Sequence, residues 1–191
     1  MKLITIINSY NAEGNAPQYY LKADTSLLRN NDAFYIPDGV GRVVAAPHIV
    51  LKVSRIAKCI GERFATRCID GVMGGVTFTA IDKLNEARSQ GLPWDEAVGF
   101  DHSSAISLDT LSRDAMLEGA RFYINGEERA HISLGDMRFT ADKIVSHLSE
   151  CTTLRIGDLI FLGSPAEFEV KACDNYRLTI GDHTLLNFDI K

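Results

Sequence analysis

Short apolar runs separated by polar or glycine-containing turns recur along the chain. Runs rich in β-branched and aromatic residues, such as Tyr19–Lys22 and Val43–Val53, are typical of strands. Strands are predicted at residues 3–7, 19–22, 43–53, 76–81, 120–124, 129–132, 159–162, 167–172, 176–180 and 185–190. The pattern therefore favours a domain built mainly from short strands.

Three segments have the apolar spacing of helices. Residues 61–70 have this spacing, and residues 83–90 have it as well and end at Gly91, a favoured helix stop. A third segment opens at Thr140 and runs to about residue 150. Few helices among many strands predict a mixed β-rich α+β fold with a few short helices.

Two dipeptides predict turns between strands. Gly74-Gly75 precedes the strand at 76–81, and Asn125-Gly126 is a strong hairpin signal. The chain of 191 residues is long enough to bury a sizeable core, and it shows no linker, repeat or low-complexity segment. We therefore expect residues 1–191 to form one domain.

Charge and composition narrow the class of protein. The net charge of −5 and the absence of a lysine and arginine cluster argue against nucleic acid as a partner. No apolar run reaches membrane-spanning length, so we expect a cytoplasmic protein without a membrane partner. The four cysteines are far apart without zinc-ligand spacing, and we expect buried free thiols: Cys59, Cys68, Cys151 and Cys173.

The segment 154–169 combines a turn, a buried strand and a sharp break. Gly157-Asp158 leads into the apolar run 159–162, and Gly163-Ser164-Pro165 ends that run. The proline holds Ser164 extended, and its hydroxyl would suit a ligand oxygen at the mouth of the strand. A plain turn from strand to loop is the alternative, and the pattern alone favours it.

The same segment resembles the glycine-aspartate and glycine-threonine-proline block of the fumarylacetoacetate hydrolase family. Further similar blocks are Asn125-Gly126-Glu127 and Asp136-Met137, and the resemblance extends from Tyr19 to Ile190. It implies the family's coiled mixed β-roll and a homodimer. It also implies a small keto acid as substrate, which family members cleave, hydrate, decarboxylate or tautomerise with a divalent metal.

The resemblance implies a cation held by three carboxylates, and this chain departs from that pattern. His48 and Val50 stand where the family has Glu-x-Glu, and no Asp or Glu occurs from residue 40 to 60. The third carboxylate falls on Ile81, with Asp82 beside it. Asp82 could turn inward through a bulge, but we favour it as the N-cap of the helix at 83–90. We expect no metal cofactor; magnesium or manganese would be the ions of an intact site.

Two further positions differ from the family, and three site positions persist. Val98 replaces the site lysine and Glu167 replaces a glycine. Lys22 and Asp101 match, and Ser164 stands in place of a threonine, so we expect these three residues to bind substrate. The alternatives are a solvated lysine and a turn serine. The prediction is a divergent member that keeps a pocket for a small carboxylate while its metal-dependent chemistry is lost or altered. The alternative is an active hydrolase, hydratase, decarboxylase or tautomerase of a small keto or diketo acid.

Overall fold

Strands dominate the computed structural model, which describes residues 1–10 and 13–191. The strands are β1 (Leu3–Ile6), β2 (Tyr19–Lys22), β3 (Leu27–Leu28), β4 (Val43–Val53), β5 (Ile69–Ala80), β6 (Ser104–Ile106), β7 (Leu111–Ser112), β8 (Ala120–Ile124), β9 (Glu127–Ile132), β10 (Leu159–Phe161), β11 (Phe168–Glu169), β12 (Asn175–Ile180) and β13 (His183–Asp189). The α-helices are α1 (Ile81–Gln90), α2 (Asp95–Val98) and α3 (Ala141–Cys151), and short 3-10 helices lie at Asp24–Ser26, Glu62–Cys68, Arg113–Glu118 and Leu134–Asp136. The mixed β-rich α+β class is confirmed.

Within the described parts of the chain, the strands form two sheets. The larger follows the order β2-β1-β10-β4-β5-β6-β3, with β11 also pairing with β4 and β7 with β5. Only the pairs β1–β10 and β3–β6 of this sheet are parallel. The smaller sheet has the order β13-β12-β8-β9 and packs against β4 and β5. The larger sheet is curled into a half-barrel, and the expected coiled β-roll is confirmed.

The antiparallel pair β4–β5 forms the centre of the larger sheet. The expected turn at Gly74-Gly75 is wrong, because β5 runs through both glycines. A Cβ atom at Gly74 would lie 2.7 Å from Leu178 Cδ2 in the smaller sheet. Glycine is needed here for close packing rather than for a change of direction.

Helix α1 begins earlier than the sequence pattern indicates. Ala80 is its N-cap and Asp82 lies inside the first turn, so the expected Asp82 cap is wrong. The helix ends as predicted at Gly91, which has a φ of 66° in the left-handed region. At α3, the hydroxyl of Thr140 accepts a hydrogen bond from the Lys143 amide, which confirms the predicted start.

Two further expectations differ from the structure. The segment 61–70 contains a 3-10 helix at Glu62–Cys68 and already enters β5 at Ile69. All four cysteines are free, but only Cys68 is buried. No helix among the described residues is long and apolar enough to cross a lipid bilayer.

The main core lies between the two sheets and is rich in stacked aromatic rings. Phe34 and Phe78 stack with ring centroids 3.7 Å apart, and Tyr176 meets Phe122 edge-on. A second, smaller apolar cluster lies on the other side of β4, around Val50 and Phe161. The candidate site lies beside this second cluster, against β1, β4 and β5.

Candidate functional site

A cavity of about 130 Å³ opens between the sheet and the helices α1 and α2. At roughly 30 Å³ per water molecule, this volume suits a ligand of a few carbon atoms. Its lining is Thr5, Ile6, Ile7, Tyr20, Ala46, His48, Thr77, Thr79, Leu84, Arg88, Trp94, Val98, Ser164 and Glu167. Hydroxyl groups dominate the polar part of this lining.

The strand period explains why polar groups gather on this face. Alternate residues of a strand point to the same side, so His48 shares a face with Ala46, and Thr77 with Thr79. Ala46 is paired with Thr77 across the two strands. The alternation of threonines in β5 was the sequence signal for this wall, and it is visible only once β4 and β5 are paired.

His48 is a buried histidine that lines the cavity. Its Nε2 atom lies 2.9 Å from Thr77 Oγ1, while Nδ1 makes no hydrogen bond of good geometry among the described residues. Burial lowers the pKa of His48 to about 3, with the charge of Lys22 acting in the same direction and the Gly163 backbone opposing it. The ring is therefore neutral near pH 7.

Tyr20 and Glu167 provide a phenol and a carboxylate at the same cavity. The pKa of Tyr20 is raised to about 12, mainly by burial and in smaller part by the Glu167 charge, while hydrogen bonds with the hydroxyls of Thr5, Thr77 and Thr79 lower it. The phenol is therefore protonated at neutral pH. Glu167 is exposed at the rim, where the resemblance places a glycine.

Lys22 is buried behind the cavity, with its Nζ atom 5.8 Å from the centre of the Tyr20 ring, and among the described residues its hydrogen bonds go to neutral oxygen atoms. Its Nζ atom donates to the Ser103 carbonyl at 2.9 Å and to the hydroxyls of Ser104 at 3.0 Å and Ser103 at 3.2 Å. Ser103 in turn donates its hydroxyl to the Val98 carbonyl. Burial lowers the pKa of Lys22 to about 7. Lys22 does not line the cavity, although its charge reaches His48.

The positions that the resemblance aligns with the family's carboxylates have few oxygen ligands around them. Val50 is fully buried in the second apolar cluster, next to Phe161. Asp82 lies on the surface, where Arg42 donates to it through its side chain at 2.8 Å and through its backbone amide at 2.9 Å. The inward orientation of Asp82 is therefore wrong. His48, Val50 and Asp82 do not fit a divalent cation that needs three carboxylates.

The neighbouring aligned positions are apolar as well. Ile81 packs against the cluster that contains Val98, so hydrocarbon contacts occupy both positions. No group of three or more His, Cys, Asp or Glu side chains in residues 1–10 and 13–191 is placed to hold a metal ion.

The remaining predicted site residues are not brought together. Ser164 lines the cavity, but its hydroxyl donates to the Ala166 carbonyl at 2.8 Å, as in a plain turn. Asp101 is exposed in a turn and does not line the cavity. Of the three predicted substrate-binding residues, only Ser164 reaches the cavity surface.

The sequence reasoning missed Arg88 and Trp94. The guanidinium of Arg88 lies 4.9 Å from the centre of the Trp94 ring, and both side chains line the cavity. No motif marks Arg88, since its place depends on the angle at which α1 leaves β5.

Comparisons with known proteins agree with this architecture. Residues 7–189 match the family model described as fumarylacetoacetate (FAA) hydrolase C-terminal. Over 158 residues the chain is 28% identical to oxaloacetate tautomerase FAHD1, mitochondrial, of Arabidopsis thaliana, covering 81% of this chain and 71% of that one. It is 22% identical over 174 residues to oxaloacetate tautomerase YcgM of Escherichia coli, covering 88% and 80%.

Solved structures show the same fold at low sequence identity. A Yersinia pestis CO92 protein assigned to the fumarylacetoacetate hydrolase family has a TM-score of 0.92 at 23% identity, covering 100% of this chain and 93% of that one. Fumarylpyruvate hydrolase from Pseudomonas aeruginosa, solved with Mn2+ and pyruvate, has a TM-score of 0.90 at 19% identity, covering 100% and 89%. The family match spans nearly the whole chain, and this chain therefore belongs to the fumarylacetoacetate hydrolase family.

Proposed function

We propose that this chain binds a small keto acid in the cavity without a divalent metal, and that the family's metal-dependent chemistry is lost or altered. The observation that carries the proposal is the coexistence of a polar cavity with an apolar Val50 position. The cavity keeps its hydroxyls and the neutral His48, whereas the side chain at residue 50 lies in a hydrocarbon cluster.

The small number of acidic side chains at the cavity supports the same proposal. Hard divalent cations are held mainly by several oxygen ligands, carboxylates above all. Glu167 is the one acidic side chain that lines the described cavity, and it lies at the exposed rim. A single carboxylate beside a neutral imidazole competes poorly with water for magnesium or manganese.

Titration calorimetry tests the proposal directly. Pyruvate or oxaloacetate should bind with the same affinity in EDTA as in excess magnesium or manganese, and the ions alone should give no micromolar binding. Thr79→Val, which removes a cavity hydroxyl, should weaken keto-acid binding by about 3- to 10-fold. The same substitution at the exposed Thr184 is the matched control. Tight, stoichiometric manganese binding would instead favour a metal-dependent hydrolase, hydratase, decarboxylase or tautomerase.

A metal-independent tautomerase is the second candidate, because Glu167 and Tyr20 line the same cavity. The Glu167 carboxylate would remove a proton from the carbon beside the keto group while the Tyr20 phenol protonates the keto oxygen, giving the enol. Proton NMR in heavy water would then show catalysed deuterium exchange at the methyl group of pyruvate. Glu167→Gln should abolish this exchange. If the wild type binds pyruvate without exchange, the tautomerase candidate is excluded and only the binding function remains.

Assembly as a homodimer stays a prediction. Leu21 of β2 and Leu92 after α1 are large apolar side chains exposed near the cavity rim, which is compatible with a contact between copies. Sedimentation velocity at micromolar concentration should give the mass of two chains, and a sharp monomer boundary would contradict the prediction.

A further inference from the structure

The mouth of the cavity carries a cation that is held in place by an aromatic ring. Arg88 lies in the last turn of α1, and its guanidinium stacks over the Trp94 ring at 4.9 Å. Trp94 packs against the buried residues Leu84, Ala97 and Val98. A ring anchored in this way restricts the guanidinium and lowers the entropy lost when it binds a ligand.

The charge of Arg88 has no acidic partner in the described structure. Arg88 takes no part in the ion pairs within 4.0 Å found among the described residues, whose cations are Lys2, Arg42, Lys83, Arg113 and Arg129. Glu167 lines the same cavity without pairing with it, and the buried Lys22 does not reach the cavity surface. Among the residues described as lining this cavity, Arg88 is thus the one positively charged side chain.

The inner wall has polar groups without a well-formed hydrogen bond. Thr5 Oγ1 and His48 Nδ1 are buried and make no hydrogen bond of good geometry among the described residues, although the Tyr20 hydroxyl interacts with Thr5 and the Gly163 backbone with His48. Both side chains line the cavity that Arg88 overlooks. Buried polar atoms that are poorly paired are costly, and a ligand group placed against them would reduce that cost.

We propose that Arg88 binds the carboxylate of a small 2-oxo acid at the mouth of the cavity, with the keto oxygen directed inward to the hydroxyl wall. This inference rests on the proposed keto-acid binding and names the residue that recognises the acid. The planar guanidinium matches a carboxylate through two parallel hydrogen bonds. The resemblance places a lysine at residue 98, where this chain has Val98, so the cation now comes from α1.

Trp94 provides a direct signal for the test, because it is the single tryptophan of the chain. Pyruvate and its uncharged amide, pyruvamide, are titrated while Trp94 fluorescence is followed. Wild type should bind pyruvate more tightly than pyruvamide by about 10- to 100-fold, the range of a charge-assisted hydrogen bond. Arg88→Gln should abolish this preference, and Arg88→Lys should keep part of it.

The control is Arg67→Gln, since Arg67 also stacks on a ring, 5.1 Å from the centre of Phe64, but does not line the cavity. It should leave both affinities unchanged. A merely structural role of Arg88 would weaken pyruvate and pyruvamide equally, and that result, or no change at all, overturns the assignment while keto-acid binding stands. If wild type binds neither pyruvate nor oxaloacetate by calorimetry, the proposed function falls and this inference falls with it.

Discussion

Val50 of β4 packs diagonally against Gly75 of β5, whose register partner is His48. A Cβ atom built on Gly75 would be 2.6 Å from Val50 Cγ2 and 2.7 Å from Phe161 Cε1. The position where the family resemblance implies a carboxylate is therefore a tight hydrocarbon contact between three strands. This contact leads to two predictions about stability.

Gly75→Ala should destabilise the protein by about 1–3 kcal/mol, because the added methyl group overpacks the contact with Val50 and Phe161. Denaturant unfolding measures this change in the free energy of unfolding. Gly61→Ala is the matched control, since Gly61 has a φ of −73° and a Cβ atom there meets nothing within 4 Å. Equal stabilities of the two variants would contradict the packing described.

Val50→Glu should destabilise the protein by at least about 3 kcal/mol at pH 7, because it places a carboxylate in a dry cluster. Burial would raise the pKa of the new carboxyl, so the folded state would bind more protons and stability would fall as pH rises above about 4. Val50→Gln, of similar shape and without a charge, should lack this pH dependence. A stable His48→Glu, Val50→Glu double variant that binds manganese would show that the position accepts a metal ligand.

His48 should make the fold sensitive to acid. Its folded pKa of about 3 lies below the ordinary value of 6.5, so the unfolded chain binds the proton more readily. Stability is fully present above about pH 6.5 and should fall by about 1.4 kcal/mol per pH unit as pH drops toward 3. Acid unfolding of His48→Gln should begin at lower pH than that of wild type. The same substitution at the exposed His183 should not change the profile.

Lys22 should make the stability of the fold depend on pH in a higher range than His48 does. Its folded pKa of about 7 lies below the ordinary 10.5, so the unfolded chain binds more protons between these values. Stability should therefore rise as pH increases from about 7. Lys22→Met, which keeps the length and removes the buried charge, should be at least as stable as wild type at pH 6 and should flatten this rise. Substantial destabilisation by Lys22→Met at pH 6 would show that the hydrogen bonds to Ser103 and Ser104 outweigh the cost of burial.

Local signals in the sequence predicted the local structure well. Asn125-Gly126 adopts positive φ angles of 53° and 84° in the hairpin between β8 and β9, as these two residue types allow. The long β-branched run predicted β4 over Val43–Val53. In each case the physical cause lies within a few residues of the chain.

The predictions that were wrong concern residues whose contacts are with partners distant in sequence. A glycine pair is typical both of a turn and of close packing, and only the smaller sheet decides between these uses at Gly74. Lys22 meets Ser103 across 81 positions of sequence. Asp82 has the residue type of a helix cap, but Arg42, which lies just before β4, binds its carboxylate instead. Local sequence patterns carry no information about neighbours that are distant in sequence.

The adjacent glycines of β5 have a consequence for how the molecule can vary. Consecutive strand residues face opposite sides, so Gly74 contacts Leu178 and Leu185 of the smaller sheet, while Gly75 contacts the side of Val50. At this point the main chain alone separates the core from the second apolar cluster. A larger residue at either glycine would push on a different layer. Substitutions at Gly74 and at Gly75 can therefore alter the spacing between the sheets and the packing beside the cavity independently of each other.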